Sequence, residues 1–565
     1  MGTEARAATT RGLFSGQFKP APLVVVAAAG VAVVVGIIMV FSGATSSGVT
    51  TDEPLHVKRL QAFFTHGLYV RPEEREQATS WEDIPDAAYV YGPATALTMH
   101  WFNVRAGNEK TADTNTYYYF EDPDVVSPRV KAYMVRHLAI ASLSLLATLA
   151  VFGLGWLLLG SWRWGIVAAG VLAALPAWTG SAMFNMKDSP VGTGYTVMTF
   201  GLVATVMATR ARGRLELLEC GLAAVAMVPG IALMVGTRPG MWPAALVAVV
   251  VIGVIMAIGG ELHWQLLATL AAGLAMSYAA LWLIYPRVFS NPLTVLQKSV
   301  SASTEFPHSL PPGRGYVFQH TLIEWPILLL IFMLLGTVVA ATLCWKNLTT
   351  DPFHAAAFAL VGAQAFAMPL AAVVMDANLY HGLRQLLFAF PGQAVLATVG
   401  IAAATSAVPT VRGRRVLVGV AIAALAFPLV VQARMFPYQY AYGNVAAELS
   451  GAFIENDYFR SSFREYVHDV PSTMGTRCLH WPHPTPLRYK SEKDCRNMYG
   501  SMKPFWLEHW KKARHDTDSQ TFYLVSRFQA GVPENCHVIR EVTRRRNFER
   551  VVMSRLSYCL NEPAP

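Results

Sequence analysis

About eleven apolar blocks, each long enough to cross a lipid bilayer as a helix, constrain this chain more than any other feature. Each block has about 18 or more residues, the length that spans a hydrocarbon core of roughly 30 Å. The blocks lie at about 22–43, 136–160, 164–183, 191–208, 216–236, 241–258, 264–285, 325–345, 354–375, 386–405 and 416–433. Only 14% of the residues are charged, whereas a globular domain has roughly 25%. The sequence predicts an all-α polytopic membrane protein.

The distribution of Lys and Arg predicts how the chain is oriented. Cytoplasmic loops are enriched in basic residues, and here these residues gather in alternate loops. They are Arg6, Arg11, Lys19, Arg163, Arg210, Arg212, Arg214, Lys346, Arg412, Arg414 and Arg415. The amino terminus is therefore expected inside and the carboxyl terminus outside. The formal net charge of +9 is explained by these loops, and nucleic acid is not an expected partner.

This orientation divides the chain into three parts. Residues 1–21 form a cytoplasmic segment, 22–433 the membrane domain and 434–565 an exported domain. The membrane domain includes two exported loops, 44–135 and 286–324. We expect the protein to be a multi-pass protein of a bacterial cell membrane, with its functional site on the exported face.

The exported tail has the pattern of a small α+β domain. Thr521–Phe528 and Phe548–Leu560 are predicted strands, and Ser501–Arg514 is a predicted helix. Four cysteines lie in this tail: Cys478, Cys495, Cys536 and Cys559. Their exported position favours two disulfides, with Cys478–Cys495 and Cys536–Cys559 preferred among three connectivities. A zinc site is the alternative, although the spacings lack the usual CxxC pattern.

The run Thr51-Asp52-Glu53-Pro54 directly follows the first apolar block, and His56 comes two residues later. Two adjacent acids at a membrane boundary suit a base or a cation ligand in a water-filled cavity. The alternative is structural, because Asp52 could cap a helix and Glu53 would favour its positive end.

Further acidic and basic residues lie in other turns on the same predicted face. Asp188 follows Lys187 between the third and fourth blocks, where it could instead cap the next helix. Arg384 lies at an outer surface that is normally poor in arginine, close to Tyr380 and His381. An arginine there can hold a phosphate in a bidentate fork, or it can reach toward lipid headgroups.

Two other groups of residues extend the candidate site. Tyr438 and Tyr440 follow the last block and could contact a sugar or an isoprenoid, or serve only as an interfacial aromatic belt. Lys298 and Arg314 lie in the 286–324 loop, which has the length of a functional lid over a phosphate.

Taken in order, these motifs resemble the GT-C glycosyltransferases, in particular bacterial relatives of the protein O-mannosyltransferases and aminoarabinose transferases. The matching pieces are Thr51-Asp52-Glu53-Pro54, Asn185-Met186-Lys187-Asp188-Ser189-Pro190, Tyr380-His381-Gly382-Leu383-Arg384-Gln385-Leu386-Leu387-Phe388 with Pro391, and Pro437-Tyr438-Gln439-Tyr440 with Asn456-Asp457-Tyr458. The resemblance implies a GT-C-like membrane domain that takes a sugar from a polyprenyl-phosphate donor. It also implies a catalytic Asp52, with Glu53 as its neighbour, and a second acid at Asp188.

The chemistry of such a transfer is consistent with these residue types. Breaking a sugar–phosphate bond leaves positive charge on the sugar and negative charge on the phosphate, so carboxylates and cations are both required. Asp52 is the predicted base, and direct displacement would invert the anomeric carbon. The predicted phosphate ligands are Arg384, His381, Lys187, Lys298 and Arg314; the predicted substrate or lipid contacts are His56, Tyr380, Tyr438 and Tyr440.

The acceptor is an envelope glycan, lipid or protein, between which the sequence does not choose. The sequence does not identify a cofactor. It also does not decide whether a divalent metal binds to the carboxylates. Two other functions are compatible with the spans: a transporter of an envelope precursor, and a non-catalytic envelope assembly protein.

Overall fold

A computed structural model of the chain describes residues 18–50, 52–71, 74, 84–108, 128–212, 216–304, 313–452, 454–459, 461–466, 479–480, 520–525 and 536–560. In these ranges, ten helices are long and apolar enough to cross a membrane. They are Leu23–Ser46, Lys131–Leu159, Asp188–Ala211, Leu218–Thr237, Pro239–Ile258, Trp264–Ile284, Ile327–Asn347, Pro352–Val374, Gly382–Ala407 and Val411–Met435. The predicted all-α polytopic architecture is confirmed.

The predicted span 164–183 is not one straight helix. It consists of Trp162–Ala173 and Pro176–Ala182, which together pass the same test but are bent by 76°. Pro176 explains the break, because proline lacks an N–H group and its ring disfavours helical backbone before it. Counting this bent pair as one span brings the number to eleven.

The helices pack closely around a buried central one, Phe390–Ala407. Gly400 lies so near the neighbouring helix Ile327–Asn347 that an added Cβ would be 1.9 Å from the Phe332 carbonyl oxygen. Small residues allow this kind of backbone approach between membrane helices. The short segment that precedes the central helix, Gly382–Ala389, is a 3₁₀ helix and carries Arg384.

Shorter helices occur in the described parts of the two segments that were predicted to be exported loops. The first contains Glu53–His66, Ala87–Val90 and Ala94–Arg105. The second contains Pro286–Phe289, Pro292–Thr304 and Tyr316–Glu324.

The tail forms a four-stranded sheet in the order Leu479–His480, Gln520–Val525, Glu549–Leu560 and Cys536–Arg546. The second and third of these strands match the two predicted strands. Sequence reasoning missed Cys536–Arg546, whose many charges suit the edge strand that it forms. The predicted helix Ser501–Arg514 lies outside the described residues.

The sheet gives one predicted disulfide a testable geometry. Cys536 and Cys559 stand directly opposite each other on antiparallel strands, where Cα atoms are about 4.5–5.5 Å apart. That separation falls within the usual disulfide range. We therefore expect non-reducing peptide mapping to find a Cys536–Cys559 bridge, and titration of both as free thiols would contradict it. Cys478 and Cys495 lie outside the described residues.

Candidate active site

Asp52 lies immediately before the helix Glu53–His66 but does not cap it with its side chain. Its carboxylate accepts a hydrogen bond from Lys187 Nζ at 2.6 Å and lies 3.6 Å from Arg384 Nη1. Burial alone would raise the pKa of Asp52, but the charges of Lys187 and Arg384 outweigh burial and hold that pKa below its usual range. Asp52 is therefore a stable anion between two cations.

Asp188 is the first residue of the helix Asp188–Arg212 and is 2% exposed. Its backbone N–H donates a hydrogen bond to Asn185 Oδ1. The side chain that caps this helix is therefore that of Asn185, and not that of Asp188 as the sequence allowed. The Asp188 carboxylate lies 2.6 Å from Arg238 Nη2 and 3.8 Å from Arg384 Nε. Asp188 is therefore ion-paired with two arginines, Arg238 and Arg384.

Arg384 joins the two aspartates, which are far apart in the chain. It is 8% exposed, and its guanidinium lies over the rings of Tyr458 at 4.5 Å, Tyr380 at 5.2 Å and Phe459 at 5.3 Å. Its Nε and Nη1 donate no hydrogen bond within the described residues. Such buried donors are costly to leave unsatisfied, so they indicate a place for an anion.

Two residues of this cluster were missed in the sequence. Arg238 ends a span at the predicted outer surface, where arginine is unusual, and this signal could have identified it. The Tyr91 ring lies 5.5 Å from Lys187 Nζ and 5.9 Å from the Arg238 guanidinium carbon. No sequence pattern marks Tyr91.

The cluster carries more positive than negative charge. Within the described residues, the cations Lys187, Arg238 and Arg384 are ion-paired with two carboxylates, those of Asp52 and Asp188. Burial, followed by the charges of Arg59 and Lys187, lowers the pKa of the adjacent His56 and keeps its imidazole neutral. One positive charge is thus left to attract an anion.

Arg384 lines a cavity of about 450 Å³. Tyr380, Tyr440, Tyr442 and Tyr458 form much of its wall. Aromatic faces and hydroxyl groups of this kind suit a sugar ring, because the ring has both apolar and polar surface. A cavity of this volume is in the usual range of small-molecule sites.

Two histidine–glutamate pairs line the same cavity. His320 Nδ1 lies 2.6 Å from Glu324 Oε1. His381 Nδ1 bonds to Glu455, and the His381 ring lies against Tyr458 with 3.6 Å between centroids. His381 was predicted to bind phosphate; in the structure its Nδ1 bonds to the Glu455 carboxylate.

Eight predicted residues do not line this cavity within the described part of the chain: Asp52, Glu53, His56, Lys187, Asp188, Lys298, Arg314 and Tyr438. Glu53 is buried and bonds to His137, Lys298 lies 3.2 Å from Asp86 at the surface, and Arg314 is exposed. Tyr438 donates to Glu465. His56 Nδ1 lies 2.8 Å from the Tyr69 hydroxyl. Consecutive helical residues point in different directions, which explains why Glu53 does not share the surroundings of Asp52.

The described residues contain no group of three His, Cys, Asp or Glu side chains that could hold a metal ion. The sequence analysis left open whether Asp52 and Asp188 bind a divalent metal. In the structure these two aspartates face the cations Lys187, Arg238 and Arg384. The excess of positive charge in this cluster favours an anion.

No family model and no curated protein matches the sequence. Among solved structures, the chain is similar to ArnT from Cupriavidus metallidurans bound to undecaprenyl phosphate, with 13% identity, a TM-score of 0.46, and coverage of 94% of this chain and 97% of that chain. It is also similar to an oligosaccharyltransferase from Archaeoglobus fulgidus. Its apo form gives 13% identity, a TM-score of 0.44, and coverage of 74% of this chain and 56% of that chain. The complex of the same enzyme with Zn and sulfate gives 16% identity, a TM-score of 0.40, and coverage of 74% of this chain and 53% of that chain.

Proposed function

We propose that this protein is an integral membrane glycosyltransferase that moves a sugar from a polyprenyl-phosphate donor to an acceptor at the exported face. The observation that carries the proposal is Arg384, a buried cation with unsatisfied donors that lines a cavity with aromatic walls. The motif resemblance found in the sequence points to the same class of reaction.

A donor phosphate can approach Arg384 more closely than the two carboxylates do. Arg384 lies 3.6 Å and 3.8 Å from Asp52 and Asp188, which are longer than hydrogen bonds. A phosphate within the cavity would accept from Arg384 at shorter range. The negative charge that develops on the leaving phosphate is then stabilised by a cation already in place.

We assign Asp52 an electrostatic role in place of the predicted role as base. Its carboxylate is held by Lys187, and an anion with a lowered pKa accepts a proton poorly. A fixed negative charge can instead stabilise the positive charge that develops on the sugar. Direct displacement at the anomeric carbon, with inversion, remains the proposed course.

The proposal is tested by binding of undecaprenyl phosphate to the purified protein in lipid nanodiscs. We expect saturable binding of undecaprenyl phosphate and much weaker binding of undecaprenol, which lacks the phosphate. Arg384→Gln should weaken the phosphate-dependent binding about 10- to 100-fold, the usual range for a lost charge-assisted hydrogen bond. Equal binding of the two lipids would contradict the proposal.

Arg210→Gln is the matched control. Arg210 is ion-paired with Asp351 at 2.5 Å and lies 22 residues along the helix that begins at Asp188. At 1.5 Å per residue, it is about 33 Å from the site. This variant loses the same charge from the membrane domain and should bind undecaprenyl phosphate like the wild type.

A further inference from the structure

The His320–Glu324 pair lines the cavity and is used by neither the phosphate nor the aspartates. The two residues are four apart on the helix Tyr316–Glu324, so their side chains share one face. His320 Nδ1 lies 2.6 Å from Glu324 Oε1, and the two side chains are 14% and 12% exposed. The sequence analysis did not identify this pair.

Backbone contacts fix Glu324 in position. Its Oε2 accepts a hydrogen bond from the Leu383 backbone N–H at 3.0 Å. Gly382 leaves the room that this requires, since an added Cβ would lie 1.9 Å from Glu324 Oε1. Gly382 also has φ +65°, a conformation that other residues rarely adopt. Glu324 is thus attached to the segment that carries Arg384.

The His320 ring is held by a second contact. It lies against the Tyr316 ring with 4.1 Å between centroids, and the Tyr316 hydroxyl accepts from the Gly382 backbone N–H at 2.7 Å. Because the carboxylate of Glu324 accepts a hydrogen bond from Nδ1–H, the proton-accepting nitrogen of the neutral ring is Nε2. A histidine oriented by a carboxylate is the usual arrangement of a general base.

We propose that His320, oriented by Glu324, is the general base that takes the proton of the acceptor hydroxyl. This inference rests on the proposed glycosyl transfer. The acceptor oxygen bonds to the anomeric carbon while the bond from that carbon to the phosphate oxygen breaks, and its electron pair leaves with the phosphate. The acceptor proton moves to His320 Nε2, and the imidazolium is stabilised by Glu324.

Other titratable groups in the cavity are less suited to this role. Glu324 and Tyr316 contact His320 from its own helix. The other titratable groups that line the cavity are Tyr380, His381, Arg384, Tyr440, Tyr442, Glu455 and Tyr458. His381 is the alternative base, but its ring stacks on Tyr458, which also contacts Arg384.

The test measures the pH dependence of undecaprenyl phosphate release. Undecaprenyl phosphomannose and undecaprenyl phosphoarabinose serve as a hexose and a pentose donor, with an envelope extract as the acceptor source. His320→Asn should lower the rate about 10²- to 10⁴-fold and remove the fall of rate at acid pH. Glu324→Gln should lower the rate less than His320→Asn does. Free imidazole should restore activity to His320→Ala.

The matched control is His263→Asn. His263 Nε2 lies 3.0 Å from Glu261, and both residues are more exposed than the cavity pair. The variant should keep the wild-type rate and pH profile. A wild-type rate and pH profile in His320→Asn would overturn the inference. The inference would also be overturned if His381→Asn, and not His320→Asn, removed the fall of rate at acid pH. Failure of the wild type to bind undecaprenyl phosphate would instead overturn the proposed function.

A second measurement needs no donor. Diethylpyrocarbonate modifies neutral imidazole nitrogens, and peptide mapping locates the modified residues. His320 and the more exposed His263 should both react at neutral pH, whereas the buried His137 should not. A His320 that stays unmodified while His263 reacts would contradict an available Nε2.

Discussion

Asp52→Asn should abolish sugar transfer and leave the carrier lipid bound. The substitution removes the negative charge proposed to stabilise the sugar, and we expect the rate to fall about a thousandfold, as for loss of a major electrostatic group. Asparagine keeps an oxygen that can accept from Lys187 Nζ, now 2.6 Å from Asp52. The cation cluster then has a larger positive excess, so undecaprenyl phosphate should bind at least as tightly as in the wild type.

The comparison of transfer with binding makes this prediction specific. Asp351→Asn is the control, because Asp351 has the same 20% side-chain exposure as Asp52 and pairs with Arg210 away from the site. It should preserve both transfer and binding. Transfer at the wild-type rate in Asp52→Asn would remove Asp52 from the mechanism, and loss of lipid binding would indicate that the substitution disrupts the cluster.

The membrane spans could be predicted because long apolar runs have few other stable solutions. The bend at Pro176 was not predicted, although the proline itself marks a break. Arg384 was found because it violates the usual distribution of basic residues, and the same argument would have identified Arg238. Charge placement was therefore the most informative signal for the site.

The contacts between distant segments could not be predicted from the sequence. Nothing in the spacing of Asp52 and Asp188 shows that Arg384 lies between them. Lys298 and Arg314 were grouped with the phosphate ligands because a basic loop resembles a lid, yet neither lines the cavity within the described residues. The spacing of His320 and Glu324 fits a helical pair, but recognising it required the helix boundary.

Glu53 shows how a neighbouring acid can have a different role. Its Oε2 accepts from the Thr50 backbone N–H at 2.7 Å, and its Oε1 lies 2.8 Å from His137 Nε2. His137 Nδ1 donates to the Ala44 carbonyl at 2.9 Å, so the pair joins the segment before Asp52 to two membrane spans. The Glu53 and His137 side chains are 0% and 1% exposed.

Glu53→Leu should therefore destabilise the fold strongly. It leaves His137 buried without its carboxylate, which typically costs about 3–5 kcal/mol. The double variant Glu53→Leu/His137→Leu should recover much of that loss, since apolar side chains can replace a buried pair. The exposed pair Glu261–His263 is the control, and Glu261→Gln should change stability by less than about 1 kcal/mol. Apparent unfolding temperatures in detergent measure all three. If Glu53→Leu unfolds at the wild-type temperature but transfers no sugar, Glu53 acts in the reaction and not in positioning Asp52.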